Sequence, residues 1–177
     1  MALEHALLVA LREQPASGLD LARRFSRSIG FFWSATHQQI YKVLGRMETD
    51  GWVSVTEVAQ SGKPDKKLYD VTPAGRSALA DWLAEPTPTH ALRSDLAVKM
   101  RGASFGDREA VLDVVRANLA DHHVRLDHYR QLAKRDYPDG PRGLTGLELD
   151  QYLVLRGGIL TEETWVAWLT EYLEAHT

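Results

Sequence analysis

Residues 36–72 constrain the fold most, because their apolar side chains change from helical spacing to strand spacing within one short segment. The first part has apolar residues three and four positions apart, which predicts a helix with one buried face: Ile40, Val43, Leu44 and Met47. Gly51 follows where the end of a helix needs a residue that tolerates positive φ. Residues 52–58 are then typical of a strand.

A polar turn and a second strand complete this pattern. Residues 61–67 combine Gly, Pro and Asp with three lysines, which is typical of a hairpin tip, and residues 68–71 supply the return strand. Thr72 and Pro73 predict the start of the next helix. A threonine hydroxyl caps free amide groups, and proline at the first helical position loses no needed donor. We expect that helix to end near Glu85.

Two short amphipathic helices are predicted before this segment, over residues 3–13 and 17–25. They would form a three-helix core with the helix of residues 36–50, which we call the reader helix. The hairpin of residues 52–71 is called the wing, and three aromatic residues at 31–33 are expected to pack over the reader helix. This order predicts a mainly helical fold with a small β-hairpin, in which an N-terminal winged helix-turn-helix reads DNA.

The distribution of charge supports DNA binding, although the net charge is only −3. Residues 23–67 contain eight basic and four acidic residues, a balance of +4, so the rest of the chain carries −7. The basic segment coincides with the predicted reader helix and wing. Its position therefore favours contact with the phosphates of a duplex.

The candidate DNA contacts fall into three groups. Side chains at the start of a reader helix point into the major groove, and here these are Thr36, His37, Gln38, Tyr41 and Lys42. The wing offers lysines suited to phosphate or minor-groove contact: Lys63, Lys66 and Lys67. Arginines on the flank are Arg23, Arg24 and Arg27. The alternative for each group is a solvated surface that binds nothing.

The second half of the chain is predicted to contain only helices. Pro86 and Pro88 stiffen a linker over residues 86–91, which separates a winged-helix domain, 1–85, from a helical domain, 92–177. A short helix over residues 92–101 precedes two long ones. We expect these over residues 107–135 and 145–174.

The first long helix carries a heptad seam, and tryptophans share one face of the second. Two long helices bury little as an isolated hairpin, so we expect a second copy to cover them. The resulting homodimer would have a twofold axis that suits a palindromic operator. The predicted dimerisation residues are Leu112, Val115, Leu119, His122, Leu126, Tyr129, Trp165 and Trp168. A pocket for a flat ligand is the alternative for the two tryptophans.

Other chemistries find little support in the sequence. The absence of cysteine excludes disulfides and thiolate metal sites and suits the cytoplasm. His123 and Asp127 share a helical face, but no further ligands complete a site, so neither a metal nor a cofactor is predicted. No glycine loop, nucleophile elbow or carboxylate pair indicates an enzyme. The apolar start contains Glu4 and His5 and is too short to span a membrane.

The sequence also resembles the bacterial PadR family of transcriptional regulators, in the branch with a long helical C-terminal dimerisation region. The resemblance covers nearly the whole chain and is carried by residues 3–8, 17–22, 31–33, 39–53, 67–75 and 165–168, of which 39–53 and 67–75 are the most specific. The chain departs from the family pattern at Gly45, where a longer polar residue is common, and after Ala74, where an acidic residue is frequent.

This resemblance implies a homodimer that binds double-stranded operator DNA, usually as a repressor. In many members of the family a small hydrophobic or phenolic ligand releases the DNA. The alternative from another class is a helical protein-interaction module, in which the winged fold binds a protein partner. Weak binding to DNA without sequence preference would favour that alternative.

Overall fold

Over the residues that the computed structural model describes, 2–25, 35–59, 66–89 and 93–176, the chain is mainly helical with one antiparallel hairpin, as predicted. The chain divides into two compact units, Met1–Thr89 and His90–Thr177. Several predicted features lie outside the described residues: Arg27, Lys63, the aromatic residues at 31–33, the last two residues of the linker and residue 92, the predicted start of the next helix.

The described residues of the first unit form four helices and the hairpin. In chain order these are α1 (Ala2–Glu13), α2 (Gly18–Phe25), α3 (His37–Thr49), β1 (Val53–Val58), β2 (Lys66–Val71) and α4 (Pro73–Ala84). All six elements contribute side chains to one hydrophobic core. The reader helix is α3, and the four residues predicted for its buried face all lie in this core.

The boundaries on either side of the wing are fixed as predicted. Gly51 has a φ of 71°, which allows the chain to turn directly from α3 into β1. Thr72 caps α4: its hydroxyl accepts a 3.1 Å hydrogen bond from the Gly75 amide and donates a 2.6 Å hydrogen bond to the Gly51 carbonyl. Pro73 is the first residue of α4. One threonine therefore joins both ends of the wing.

The wing is longer on its return side than the sequence predicts. β2 begins at Lys66 rather than at Leu68, because the antiparallel register continues to the pair Val58–Lys66. Backbone hydrogen bonds hold such a ladder whatever the side chains are, so polar residues can extend it. Two of the lysines that were predicted for the tip are consequently strand residues with fixed, opposite directions.

The described residues of the second unit form helices joined by turns, without a strand. It contains α5 (Asp95–Arg101), a short 3-10 turn (Ala103–Phe105), α6 (Arg108–Asp136) and α7 (Gly146–Glu174). α5 begins later than predicted, where the Ser94 hydroxyl accepts a 3.2 Å hydrogen bond from the Ala97 amide. Asp107 caps α6 in the same way, as predicted. None of the described helices is both long and apolar enough to cross a membrane.

The heptad seam of α6 is largely buried within one protomer, whereas its contact with a second copy stays a prediction. Five of its members have exposures of 9% or less: Leu112, Val115, His122, Leu126 and Tyr129. Leu119, Trp165 and Trp168 pack around a cluster that joins α5, α6 and α7. A heptad pattern indicates that a helix has a partner helix. It does not tell whether that partner belongs to the same chain.

Candidate nucleic-acid interface

The outward face of α3 is the first part of the candidate interface. Because Ile40, Val43, Leu44 and Met47 anchor the helix in the core, the opposite face is turned to solvent. Its exposed residues are His37, Gln38, Tyr41, Lys42 and Gly45. Amide, imidazole, phenol and ammonium groups together offer the donors and acceptors that base edges and phosphates require.

Thr36 has a structural role at the start of this helix. Its hydroxyl accepts a 3.2 Å hydrogen bond from the Gln39 amide, and its own amide donates a 2.8 Å hydrogen bond to the Gln39 side chain. This reciprocal pair is a capping box. Gln39 is not among the residues predicted to form the site. The spacing Thr-x-x-Gln was the signal that could have identified it.

Tyr41 is held in place by α2. Its ring lies against Gly18, where a Cβ atom would stand only 2.4 Å from the Cε1 atom of the tyrosine. The side chain nevertheless keeps 48% of its surface exposed. Tyr41 is therefore both positioned by the fold and available to a ligand.

Several of the cations in the basic segment already have partners in the protein. The Arg24 guanidinium donates to carbonyls at the end of α1, with the shortest bond, 2.9 Å, to Gln14. Arg46 on α3 pairs with the buried Glu4 of α1. Arg23 is exposed on α2. Among the described residues, Lys42 and Lys67 form no ion pair, so these two ammonium groups are the freest for phosphate.

The two described lysines of the wing point in opposite directions. Lys67 is exposed, whereas Lys66 is half-buried and its Nζ atom lies 2.7 Å from the Oδ2 atom of Asp20 on α2. The Lys66 ammonium and the Ser17 hydroxyl hold the pKa of the Asp20 carboxyl below its ordinary value. Lys66 and Lys67, which are both predicted to contact DNA, therefore lie in different electrostatic environments.

A buried polar cluster lies between α6 and α7. The Nδ1 atom of His122 lies 2.5 Å from Oε2 of Glu162, and Nε of Arg125 lies 3.2 Å from Oε1 of the same carboxylate. The ring of Trp165 stacks on His122 with 5.0 Å between centroids. His122 thus serves the packing of one protomer. Within the described part of the chain, no three His, Asp or Glu side chains are arranged to hold a metal ion.

The other side of α7 carries apolar side chains that the protomer leaves uncovered. Leu153 and Leu160 are 53% and 48% exposed, and Val154 is 54% exposed. The two leucines lie on the helix face opposite to the buried Leu155, Ile159 and Glu162, whereas Val154 lies about a quarter turn from that buried face. Between the two leucines is Gly157, where an added Cβ atom would meet nothing within 4 Å.

An open groove of about 390 Å³ lies along α5. It is lined by Arg93, Ser94, Asp95, Ala97, Val98 and Arg101. Its volume is within the range of sites for small molecules. The guanidinium groups of Arg93 and Arg101 attract a carboxylate ligand, whereas the negative charge of Asp95 repels it.

Models of two protein families match successive parts of the chain. Residues 7–81 match the transcriptional regulator PadR-like family, and residues 92–177 match the virulence activator alpha C-term family. A probable transcriptional regulator of Mycobacterium tuberculosis is 51% identical over 99% of this chain and 97% of its own length. The negative transcriptional regulator PadR of Bacillus subtilis is 29% identical over 97% of this chain and 95% of its own length.

Solved structures of two relatives resemble the whole chain. Bacillus subtilis PadR in complex with operator DNA superposes with a TM-score of 0.84, at 27% identity, over 99% of both chains. The same protein in complex with p-coumaric acid superposes with a TM-score of 0.77, at 26% identity, over 99% of this chain and 98% of that one. The Vibrio cholerae virulence activator AphA gives 0.80, at 31% identity, over 98% of this chain and 96% of that one.

Proposed function

Because this chain belongs to the PadR-like family of transcriptional regulators, we propose that it binds operator DNA as a homodimer and represses transcription until a small ligand releases it. The Bacillus subtilis relative is a negative regulator with an operator complex, whereas the Vibrio cholerae relative is an activator. The place of action is the cytoplasm, and no enzymatic step is involved. One observation carries the proposal: α3 has one face in the core and an opposite, polar face in solvent beside a lysine-bearing wing.

The proposed DNA contacts are assigned from the exposure of each side chain and from the hydrogen-bond and ion-pair partners that it already has within the protein. His37, Gln38, Tyr41 and Lys42 enter the major groove, where their side chains meet base edges and adjacent phosphates. Lys67 meets the backbone from the wing, together with Lys63 and the flanking Arg23 and Arg27. Thr36 and Arg24 contribute mainly by holding α3 and α1, because their polar groups already bond within the protein.

The second copy is proposed to dock on the outer face of α7. Leu153 and Leu160 present apolar surface there, and Gly157 between them allows a partner helix to approach closely. An isologous contact of this kind relates the two reader helices by a twofold axis. The half-sites of the operator are then expected about one helical turn apart, roughly 34 Å.

The proposed effector is a small aromatic acid. The Bacillus subtilis relative has been solved with p-coumaric acid. In this chain the groove along α5 has a suitable volume, and Arg93 and Arg101 can pair with a carboxylate. Arg101→Gln is expected to weaken the release of DNA by p-coumaric acid while leaving DNA affinity without the acid unchanged.

The proposal is tested by fluorescence-anisotropy titration with DNA from upstream of the protein's own gene and with a scrambled duplex, across a salt series. We expect the natural duplex to bind about a thousandfold more tightly. Tyr41→Ala should narrow that ratio, and Lys67→Ala should reduce the salt slope by about 0.9 for one lost phosphate contact. His123→Ala, an exposed residue of α6, is the matched control and should change neither.

Two outcomes would contradict the proposal. Equal, weak binding to both duplexes, repeated with duplexes from neighbouring genes, would favour a module that binds a protein partner. Tight binding that is unchanged by Tyr41→Ala would place the DNA on another surface. Repression and activation are separated by the expression of a reporter gene placed behind the bound sequence, which falls when the protein represses and rises when it activates.

A further inference from the structure

Asp20 and Lys66 form an ion pair where α2 meets the wing. The Lys66 Nζ and Asp20 Oδ2 atoms are 2.7 Å apart, and the side chains are 36% and 35% exposed. The same carboxylate oxygen accepts a 2.8 Å hydrogen bond from the Ser17 hydroxyl, which in turn accepts a bond from the Asp20 amide. The carboxylate is thus held at the start of α2, whereas Lys66 carries its charge on a flexible stem.

We propose that Asp20 competes with DNA phosphates for Lys66 and so limits the affinity of the wing for any duplex. This inference rests on the proposed DNA binding. A phosphate that approaches Lys66 must displace the carboxylate or remain beside it. Both cost binding free energy, the first because an ion pair is lost and the second because like charges repel.

The opposite effect would be a tether, in which the ion pair holds the wing in the right position for DNA. The wing already has a stronger attachment to the same segment, since Ala16 and Tyr69 exchange two backbone hydrogen bonds of 3.2 and 2.9 Å. Exposed ion pairs add little to stability, so the loss of one charge leaves the wing in place. By contrast, none of the described contacts offsets the repulsion between the Asp20 carboxylate and a DNA phosphate. Competition therefore outweighs tethering.

Lys67 provides a comparison within the same strand. It follows Lys66 directly, points to the other side of β2, is exposed, and has no ion-pair partner among the described residues. Of the two described lysines of the wing, Lys66 is therefore ion-paired, whereas Lys67 forms no ion pair within 4.0 Å although Glu57 is its cross-strand neighbour. In the otherwise unchanged protein, Lys66→Gln should weaken DNA binding less than Lys67→Gln.

The test is a double-mutant cycle measured by anisotropy with a labelled mixed-sequence duplex. Asp20→Asn keeps an acceptor for Ser17 and removes the charge. It should bind about two- to fivefold more tightly at low salt, with a salt slope steeper by about 0.9 for one added phosphate contact. The gain should disappear when Lys66→Gln is added and persist when Lys67→Gln is added instead.

Each alternative result has a distinct meaning. If Asp20→Asn raises DNA affinity equally in the Lys66→Gln and Lys67→Gln backgrounds, the gain reflects only the loss of a negative charge. If Asp20→Asn weakens binding, the ion pair acts as a tether. Either result overturns the inference. Phosphate contacts do not depend on sequence, so the cycle can be measured before an operator is known. A chain that binds no duplex at all refutes the proposed function and this inference with it. The expected cycle without any sequence preference refutes only operator recognition.

Discussion

The ring of Tyr41 lies directly against the backbone of Gly18, so that a Cβ atom at position 18 would come within 2.4 Å of the ring. This contact joins the start of α2 to the outward face of the reader helix. The position of Gly18 at the start of a helix suggests a capping role, but the close approach of the ring is what requires glycine there. Because the ring is half-exposed, it has room to move outward when a side chain is added.

Gly18→Ala is therefore expected to displace Tyr41 without unfolding the protein. Its affinity for the operator should fall as far as that of Tyr41→Ala, while its free energy of unfolding changes by less than about 1 kcal/mol. Urea unfolding and anisotropy titration measure the two effects. Gly45→Ala is the control for the unfolding measurement alone, because a Cβ atom at position 45 meets nothing of the protein within 4 Å but lies on the face proposed to contact DNA. It should stabilise the helix by about 0.5–1 kcal/mol. Unfolding of Gly18→Ala would mean that the ring cannot move.

The role of Thr36 can be separated into capping and DNA contact by two substitutions. Thr36→Ala removes the hydroxyl that accepts from the Gln39 amide and should cost about 1 kcal/mol of stability. Thr36→Ser keeps the cap and should retain both stability and DNA affinity. Thermal unfolding measures the stability of both variants. Their DNA affinity is measured separately by anisotropy, at a temperature where both variants are folded. A loss of affinity in Thr36→Ser at unchanged stability would assign the threonine methyl group to the DNA.

The features that the sequence predicted best depend on neighbours along the chain. Gly51, the pair Thr72 and Pro73, and Asp107 mark helix ends because caps involve residues only a few positions apart. The buried face of α3 follows in the same way from helical periodicity. These signals do not require knowledge of the tertiary structure.

The features that the sequence did not predict depend on contacts between distant elements. Lys66 and Lys67 are alike as residues, and only the approach of α2 gives Lys66 an acidic partner. Similarly, the apolar seam of α6 does not state whether α7 or a second copy will cover it. The outward Leu153 and Leu160 were missed because α7 is apolar on both sides, which weakens its periodicity.

The ion pair of Asp20 should be visible in its titration. Lys66 and Ser17 lower the pKa of this carboxyl in the folded state. The stability that it contributes is fully present above the pKa of the unfolded chain and is lost as the pH falls through the lower, folded value. In an NMR titration, Lys66→Gln should raise the pKa towards its ordinary value, with the Ser17 hydrogen bond retaining part of the shift. An identical titration in both proteins would mean that the pair does not persist in solution.

The buried cluster of His122 and Glu162 is expected to stabilise the second unit. His122→Ala removes a neighbour from a carboxylate that is only 8% exposed and should cost about 3 kcal/mol of unfolding free energy. The adjacent His123 is exposed, so His123→Ala should change stability by less than about 0.5 kcal/mol. Urea unfolding at one fixed protein concentration compares them. Equal, small losses would mean that Arg125 alone satisfies the carboxylate.

The outer face of α7 provides a test of the proposed dimer. Leu153→Lys places a charge on that face, where it is exposed in one protomer but would be buried by a second copy, so we expect monomers and weaker operator binding. Val124→Lys is the matched control, since Val124 is 70% exposed and lies on the side of α6 opposite to the buried His122 and Leu126. Sedimentation equilibrium measures the association of both variants.

Gly157 gives an independent test of the same face. Gly157→Ala fits within the protomer and should raise its helical stability by about 0.5–1 kcal/mol, yet it should weaken association if a partner helix packs closely there. A variant that is more stable to urea at low protein concentration and less associated at high concentration cannot result from misfolding. Dimers that tolerate both Leu153→Lys and Gly157→Ala but dissociate with Val124→Lys would move the interface to α6.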